Sequence, residues 1–190
     1  MSLSLPNQLT VARIFLIPIF IGVFFIPEFQ FKNFVLTLIF FIAGVTDWFD
    51  GYLARKLNQQ SAFGTFLDPV ADKLMVSTVL VCLVSIHPSF GVIVSSIIVV
   101  GREITISALR EWMASVGEMS KVKVNYIGKI KTAAQMLAIG FMLYEVPLFG
   151  LPILLIGKIL LYIAAGLTLW SMFGYLKAAW PSLYESQENQ

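Results

Sequence analysis

Asp47-Trp48-Phe49-Asp50-Gly51-Tyr52-Leu53-Ala54-Arg55 is followed, after eight more residues, by Gly64-Thr65-Phe66-Leu67-Asp68-Pro69-Val70-Ala71-Asp72. Both stretches belong to long apolar runs, Phe34–Leu57 and Phe66–Ile86. A charged side chain deep in a bilayer costs several kcal/mol unless something compensates it. Four acids spaced by three, eighteen and four residues therefore need a shared partner. On a helix, Asp47, Asp50, Gly51 and Ala54 fall at i, i+3, i+4 and i+7 and share one face; Gly64, Asp68 and Asp72 share a face of the next helix. The turn Lys56–Phe63 is short enough to make the two helices antiparallel neighbours, so both carboxylate pairs meet near one end. An all-oxygen donor set suits a hard divalent cation, Mg2+ or Mn2+, and shared carboxylates can bridge two such ions per site.

The small residues around the acids matter for what they lack. Gly51, Ala54 and Gly64 leave room for a ligand against the helix backbones, and the Arg55 guanidinium is shaped to pair with a phosphate. Metal, phosphate clamp and small-residue slot together describe a site for a nucleotide diphosphate. Phosphoryl transfer needs mostly positioning and charge neutralisation, with one carboxylate to take a proton from the attacking hydroxyl. Two other readings stay open on the residues alone. An intramembrane Asp can serve as an interhelical hydrogen-bonding group, and four together can form a cation or proton path.

The rest of the chain sets the frame. Of 190 residues 58% are hydrophobic and 13% charged, with mean hydropathy +0.84, which predicts an all-α polytopic membrane protein. Six transmembrane helices are expected, at Leu9–Ile26, Phe34–Leu57, Phe66–Ile86, Phe90–Met113, Ile130–Tyr144 and Leu151–Leu176, the fifth the shortest. Continuous rather than alternating apolar runs argue against strands. Arg13 interrupts the leading segment and no small-residue cleavage site closes it, so it reads as a permanent helix. Residues 1–179 form one membrane domain and 180–190 a polar tail. The lone Cys82 excludes an internal disulfide, and a net charge of +2 gives no footprint for nucleic acid. Arg55, Lys56, Lys121, Lys123, Lys129, Lys131 and Lys177 fall beside the even-numbered connections and the tail, which places both termini in the cytoplasm.

The spacing Asp47-x2-Asp50-Gly51-x2-Ala54-Arg55-x8-Gly64-x3-Asp68-x3-Asp72 resembles the signature of the CDP-alcohol phosphatidyltransferases at every position. Pro6–Arg13, Thr46–Gly51, Arg102–Trp112 and Ile127–Gln135 are similar to the bacterial phosphatidylglycerophosphate synthases within that family; the last two helices are generic. The resemblance implies a six-helix core, metal-dependent transfer from CDP-diacylglycerol to sn-glycerol 3-phosphate with release of CMP, and a homodimer. It also implies a place in the bacterial inner membrane with the active site facing the cytoplasm. Carried over by position, Asp47, Asp50, Asp68 and Asp72 would hold the metals, with Asp72 as general base. Gly51, Ala54, Arg55 and Gly64 would line the CMP end of the donor site.

A glycerol phosphate acceptor is a dianion and calls for cations. Arg102, Arg110, Lys129 and Lys131, with Ser107, are the candidates; another acceptor, inositol phosphate or serine, is the alternative. Asn7, Thr10 and Arg13, at i, i+3 and i+6, could face the site from the first helix, although Arg13 could equally snorkel to the interface. His87, Glu145 and Lys158 lie on the far side, where the acid and the lysine are expected to snorkel.

Overall fold

The computed structural model describes residues 5–56, 62–116 and 126–188. Six helices follow one another: α1 (Leu5–Phe25), α2 (Lys32–Lys56), α3 (Ala62–Ile86), α4 (Phe90–Ser115), α5 (Tyr126–Tyr144) and α6 (Ile153–Glu188). No strand occurs among the described residues, so the fold is all-α as expected. The breaks fall where the chemistry forces them. Pro27 follows α1, and Pro88, which disfavours helical geometry in His87 before it, separates α3 from α4. Between α5 and α6 the chain reverses through left-handed Glu145, Phe149 and Gly150, closed by paired backbone hydrogen bonds between Leu148 and Leu151. At the other end α6 continues as helix to Glu188, past the Leu176 limit expected from hydropathy. The polar interval Val116–Gly128, with Lys121 and Lys123, reads from the sequence as a loop and falls largely on residues outside the described part.

Four stretches, Asn7–Phe25, Phe66–Ile86, Phe90–Ser115 and Ile153–Lys177, are each long and apolar enough to cross a membrane. The apolar part of α5, Ile130–Tyr144, is shorter, and α2 carries the first acid pair in its second half. Large apolar side chains such as Phe15, Phe25, Val81 and Trp170 point outward and are more than 60% exposed. A water-soluble bundle would bury them, whereas lipid tails solvate them.

Helix α1 packs on α2 and α3, and α6 on α5 and α4; contacts of α2 with α5 and of α3 with α4 and α5 join the two groups. The core between them holds Phe20, Phe40, Leu80, Leu83, Ile139 and Leu161, all fully or almost fully buried. Close approach of α5 and α6 depends on Gly157. A Cβ there would lie 2.8 Å from Met142 Cγ and 3.0 Å from the Ala138 carbonyl oxygen, so a side chain would force the helices apart.

Opposite the acid motif, a polar cluster ties the helix ends together. Asn33 Nδ2 donates to Glu145 Oε2 at 3.2 Å, and His87 Nε2 lies 3.7 Å from Glu145 Oε1. Glu145 is thus held by α2 rather than snorkelling. Burial pushes the His87 pKa below its ordinary value; Glu145 pulls it up, and Lys158 adds to the lowering. A histidine that binds its proton less readily folded than unfolded loses stability on acidification. Thermal stability in detergent should therefore fall as pH drops below about 6.5, and His87→Asn should flatten that fall. Parallel wild-type and variant melting curves across pH would show that His87 contributes nothing to it.

Candidate active site

Arg13 is the centre of the acid cluster. It is the one charged residue between Leu9 and Ile26, and its side chain is 1% exposed. From α1 its Nη1 donates to Asp47 Oδ1 on α2 at 2.8 Å and to Asp68 Oδ1 on α3 at 3.1 Å. The guanidinium therefore does not snorkel; it is a buried countercharge that draws the two acid-bearing helices together. Asn7 and Thr10 are buried on the same helix. One turn along α3 from Asp68, Asp72 shares a narrow gap with Arg13, bounded by Phe40, Gly44 and Met136. Gly64 sits in the first turn of α3, partly buried. Asp50, Gly51, Ala54 and Arg55 occupy the last turns of α2, but their side chains, like that of Lys129 on α5, lie outside the described part of the structure.

Asp72 also opens onto a larger cavity of about 510 Å³ between α3, α4, α5 and α6. Its charged lining is Lys73, Arg102, Arg110 and Lys131 against Asp72 and Glu103, an excess of two positive charges. Arg102 and Lys131 are buried, and both donate to Glu103 Oε1, at 2.7 and 3.5 Å. Lys73 donates to Ser107 Oγ, so Ser107 joins the cavity through a lysine. Arg102 and Arg110 of α4 and Lys131 of α5 thus line one cavity. Sequence reasoning missed Lys73, Gln135 and Tyr175, which also line the cavity. Lys73 could have been found as the neighbour of Asp72; nothing local distinguishes Gln135 or Tyr175 from other residues of an apolar helix.

A third space, about 600 Å³ and almost wholly apolar, lies between α2 and α5. It shares Phe40, Gly44 and Met136 with the narrow gap, and Met136 also borders the charged cavity. The three spaces therefore meet at one methionine.

The donors of the acid cluster are all carboxylate oxygens, the chemistry a hard divalent cation takes. Among the described residues no group of three or more acids, histidines or cysteines gathers closely enough to hold an ion. Asp47 and Asp68 are instead shared by Arg13, and Asp50 is outside the described side chains. The donor type fits a metal; the cation now between the acids is a guanidinium.

The profile of the CDP-alcohol phosphatidyltransferase family matches residues 3–170, and the chain belongs to that family. It is 52% identical over 186 residues to the CDP-diacylglycerol–glycerol-3-phosphate 3-phosphatidyltransferase of Haemophilus influenzae (strain ATCC 51907 / DSM 11121 / KW20 / Rd), covering 98% of each chain. Proteins of the same name from Pseudomonas fluorescens and Shigella flexneri serotype 5b (strain 8401) are 48% and 46% identical, over 95% and 94% of this chain and 92% and 96% of theirs. With its apolar helices and these bacterial relatives, the chain is a multi-pass membrane protein.

Removing Arg13 leaves Asp47 and Asp68 facing one another without a countercharge. Because both acids are about 40% exposed, Arg13→Ala should cost roughly 1–3 kcal/mol, below the cost of breaking a fully buried pair. Arg13→Lys keeps the charge but loses the planar fork and should fall between the two. Melting temperatures in detergent measure both; an unchanged Arg13→Ala protein would remove Arg13 from the centre of the fold.

Proposed function

We propose that this chain transfers the phosphatidyl group of CDP-diacylglycerol to sn-glycerol 3-phosphate, giving phosphatidylglycerophosphate and CMP. The observation that carries the reading is the cavity whose wall includes Asp72 and whose charged lining exceeds neutrality by two positive charges. A phosphomonoester dianion complements that excess, whereas a neutral or zwitterionic acceptor would leave Arg102, Arg110 and Lys131 undercompensated.

In this reading Arg102, Arg110 and Lys131 bind the acceptor phosphate, with Lys73, Ser107 and Lys129 contributing around it. The acceptor hydroxyl then faces Asp72, whose carboxylate takes its proton. The hydroxyl oxygen forms a bond to the phosphatidyl phosphorus. The bond from that phosphorus to the bridging oxygen of the diphosphate breaks, and CMP leaves with the electron pair. Asp47, Asp50, Asp68 and Asp72 would hold Mg2+ or Mn2+, two per site, and Arg13 keeps Asp47 and Asp68 side by side. When bound, the metal supplies neutralisation of the diphosphate charge. Gly51, Ala54, Arg55 and Gly64 lie on the helix turns that would face the CMP end. The apolar space between α2 and α5 receives an acyl chain of the donor, because Phe40, Gly44 and Met136 line both it and the gap beside Asp72. Basic residues beside the even-numbered connections support cytoplasmic termini, a cytoplasmic-facing site and the inner membrane as location. A homodimer rests on the family resemblance alone.

The test is CMP release by protein purified in detergent, with CDP-diacylglycerol, Mg2+ or Mn2+, and glycerol 3-phosphate, inositol phosphate, serine or no acceptor. Release should require both the divalent ion and glycerol 3-phosphate. Asp72→Asn should lower turnover by at least about a hundredfold, the usual scale of a lost general base, while CDP-diacylglycerol still binds. Full turnover in that variant would take the base elsewhere, and release with a different acceptor would overturn the assignment of the charged cavity.

The lipid end has a separate check. A Cβ at Gly140 meets nothing within 4 Å, and Gly140 lines the apolar space. Gly140→Leu should fill that space without a backbone clash and with better helix propensity. The expected result is a raised KM for CDP-diacylglycerol at unchanged KM for glycerol 3-phosphate. An unchanged lipid KM would place the acyl chain elsewhere.

A further inference from the structure

Two arginines of the charged cavity share one aromatic ring. Arg102 and Arg110 stand eight residues apart on α4, about 12 Å along its axis. Yet their guanidinium carbons lie 5.7 and 5.8 Å from the centroid of the same ring, Tyr175 of α6. Tyr175 is itself buried, 7% exposed, and lines the cavity with both arginines. Two like charges on flexible side chains would otherwise repel and spread, and the negative face of an aromatic ring offsets that repulsion.

The kind of contact matters as much as its strength. Glu103 holds Arg102 by accepting one of its N–H groups, which removes that donor from any ligand. A π face attracts the guanidinium as a whole without needing one of its N–H groups as a hydrogen-bond donor. The Arg102 Nε, buried, has no hydrogen-bond partner among the described residues. A phosphate wants several N–H donors in a fork, and the π contact itself occupies none of them, so Arg102 gives up only the donor that Glu103 takes.

We propose that Tyr175 is a positioning residue for the phosphorylated acceptor. Its ring holds Arg102 and Arg110 together at the cavity with N–H donors left for the acceptor phosphate. The inference rests on the reading of this cavity as the acceptor site. It makes α6, which carries none of the acid motif, a determinant of acceptor affinity.

The experiment compares Tyr175→Phe, Tyr175→Leu, Arg110→Ala and the Tyr175→Leu/Arg110→Ala double variant in the CMP-release assay, titrating each substrate. Phe keeps the ring and should leave the KM for glycerol 3-phosphate within about threefold of wild type; Leu keeps bulk but not the π face and should raise it roughly tenfold. The KM for CDP-diacylglycerol and turnover at saturating acceptor should stay near wild type in both. Because Tyr175 acts through Arg110, the double variant should raise the acceptor KM by less than the product of the single effects. If Tyr175→Leu does not fold, Tyr175→Met carries the same comparison.

The failures are separable. An Arg110→Ala protein with wild-type KM for glycerol 3-phosphate would remove the cavity from acceptor binding, and the proposed site with it. A raised KM in Arg110→Ala beside a wild-type KM in Tyr175→Leu would overturn the role of Tyr175 alone. So would equal damage in the Phe and Leu variants, or a Leu variant that loses turnover and both KM values together, since those mark loss of the hydroxyl or of packing.

Discussion

One guanidinium shared by two carboxylates holds the functional half of this molecule together. Arg13 is 1% exposed and donates from a single nitrogen to Asp47 and to Asp68. A charge buried to that degree is tolerable only when paired and hydrogen-bonded. The converse holds as well: two acids brought side by side in an apolar bundle repel unless a cation lies between them. Each partner therefore makes the other's position affordable, and α1, α2 and α3 are fixed relative to one another by that condition. The apolar contacts of Phe20, Phe40 and Leu80 pack the same three helices, but they are non-directional and would tolerate many arrangements. The ion triad selects one.

The same logic recurs with the signs exchanged across Asp72. Arg102 and Lys131 are buried cations, and Glu103 is the anion between them. Each charged cluster thus carries its own counterion, built into the chain, and each internal counterion resembles the external charge that the proposed reaction would bring. Arg13 lies among the acids where a divalent cation would act, and Glu103 among the bases where a phosphate would. Such an arrangement lets the protein fold around two concentrations of like charge before any substrate arrives. It also moderates affinity, because a ligand gains only the difference between its own interaction and that of the internal partner it shares.

How far the sequence disclosed this depends on what each residue's neighbours reveal. The six helices were legible because long apolar runs broken by Pro27 and Pro88 leave few alternatives. The end of α6 was not, since its last turns, Trp180 to Glu188, are polar and carry no apolar period to mark them as helix. The approach of Asp47 to Asp68 was legible because their spacing puts them on matched faces, a property of the local helix alone. Arg13 was ambiguous, because a lone cation near a helix end snorkels or is buried according to what faces it, and that is decided by other helices. Tyr175 was illegible for a stronger reason. An aromatic on an apolar helix is ordinary packing until two arginines from α4 are placed beside it.

The position of Met136 links these charged clusters to the lipid-like part of the fold. Its side chain borders the polar cavity, the narrow gap at Arg13 and Asp72, and the apolar space between α2 and α5. A reaction that joins an amphipathic donor to a dianion must bring an apolar tail and a charged acceptor to one carboxylate without letting either environment spread into the other. An unbranched, adaptable thioether suits that boundary better than a β-branched or polar residue would, because it can yield by rotation rather than by moving the backbone. The closest approach supports this: a Cβ on Gly44 would come 2.9 Å from Met136 Cε, the far end of that flexible chain. The absence of a side chain at Gly44 thus leaves the methionine its room. In the proposed reaction the partition between acyl chain and acceptor would then be a property of the α2–α5 contact, where Gly44 meets Met136.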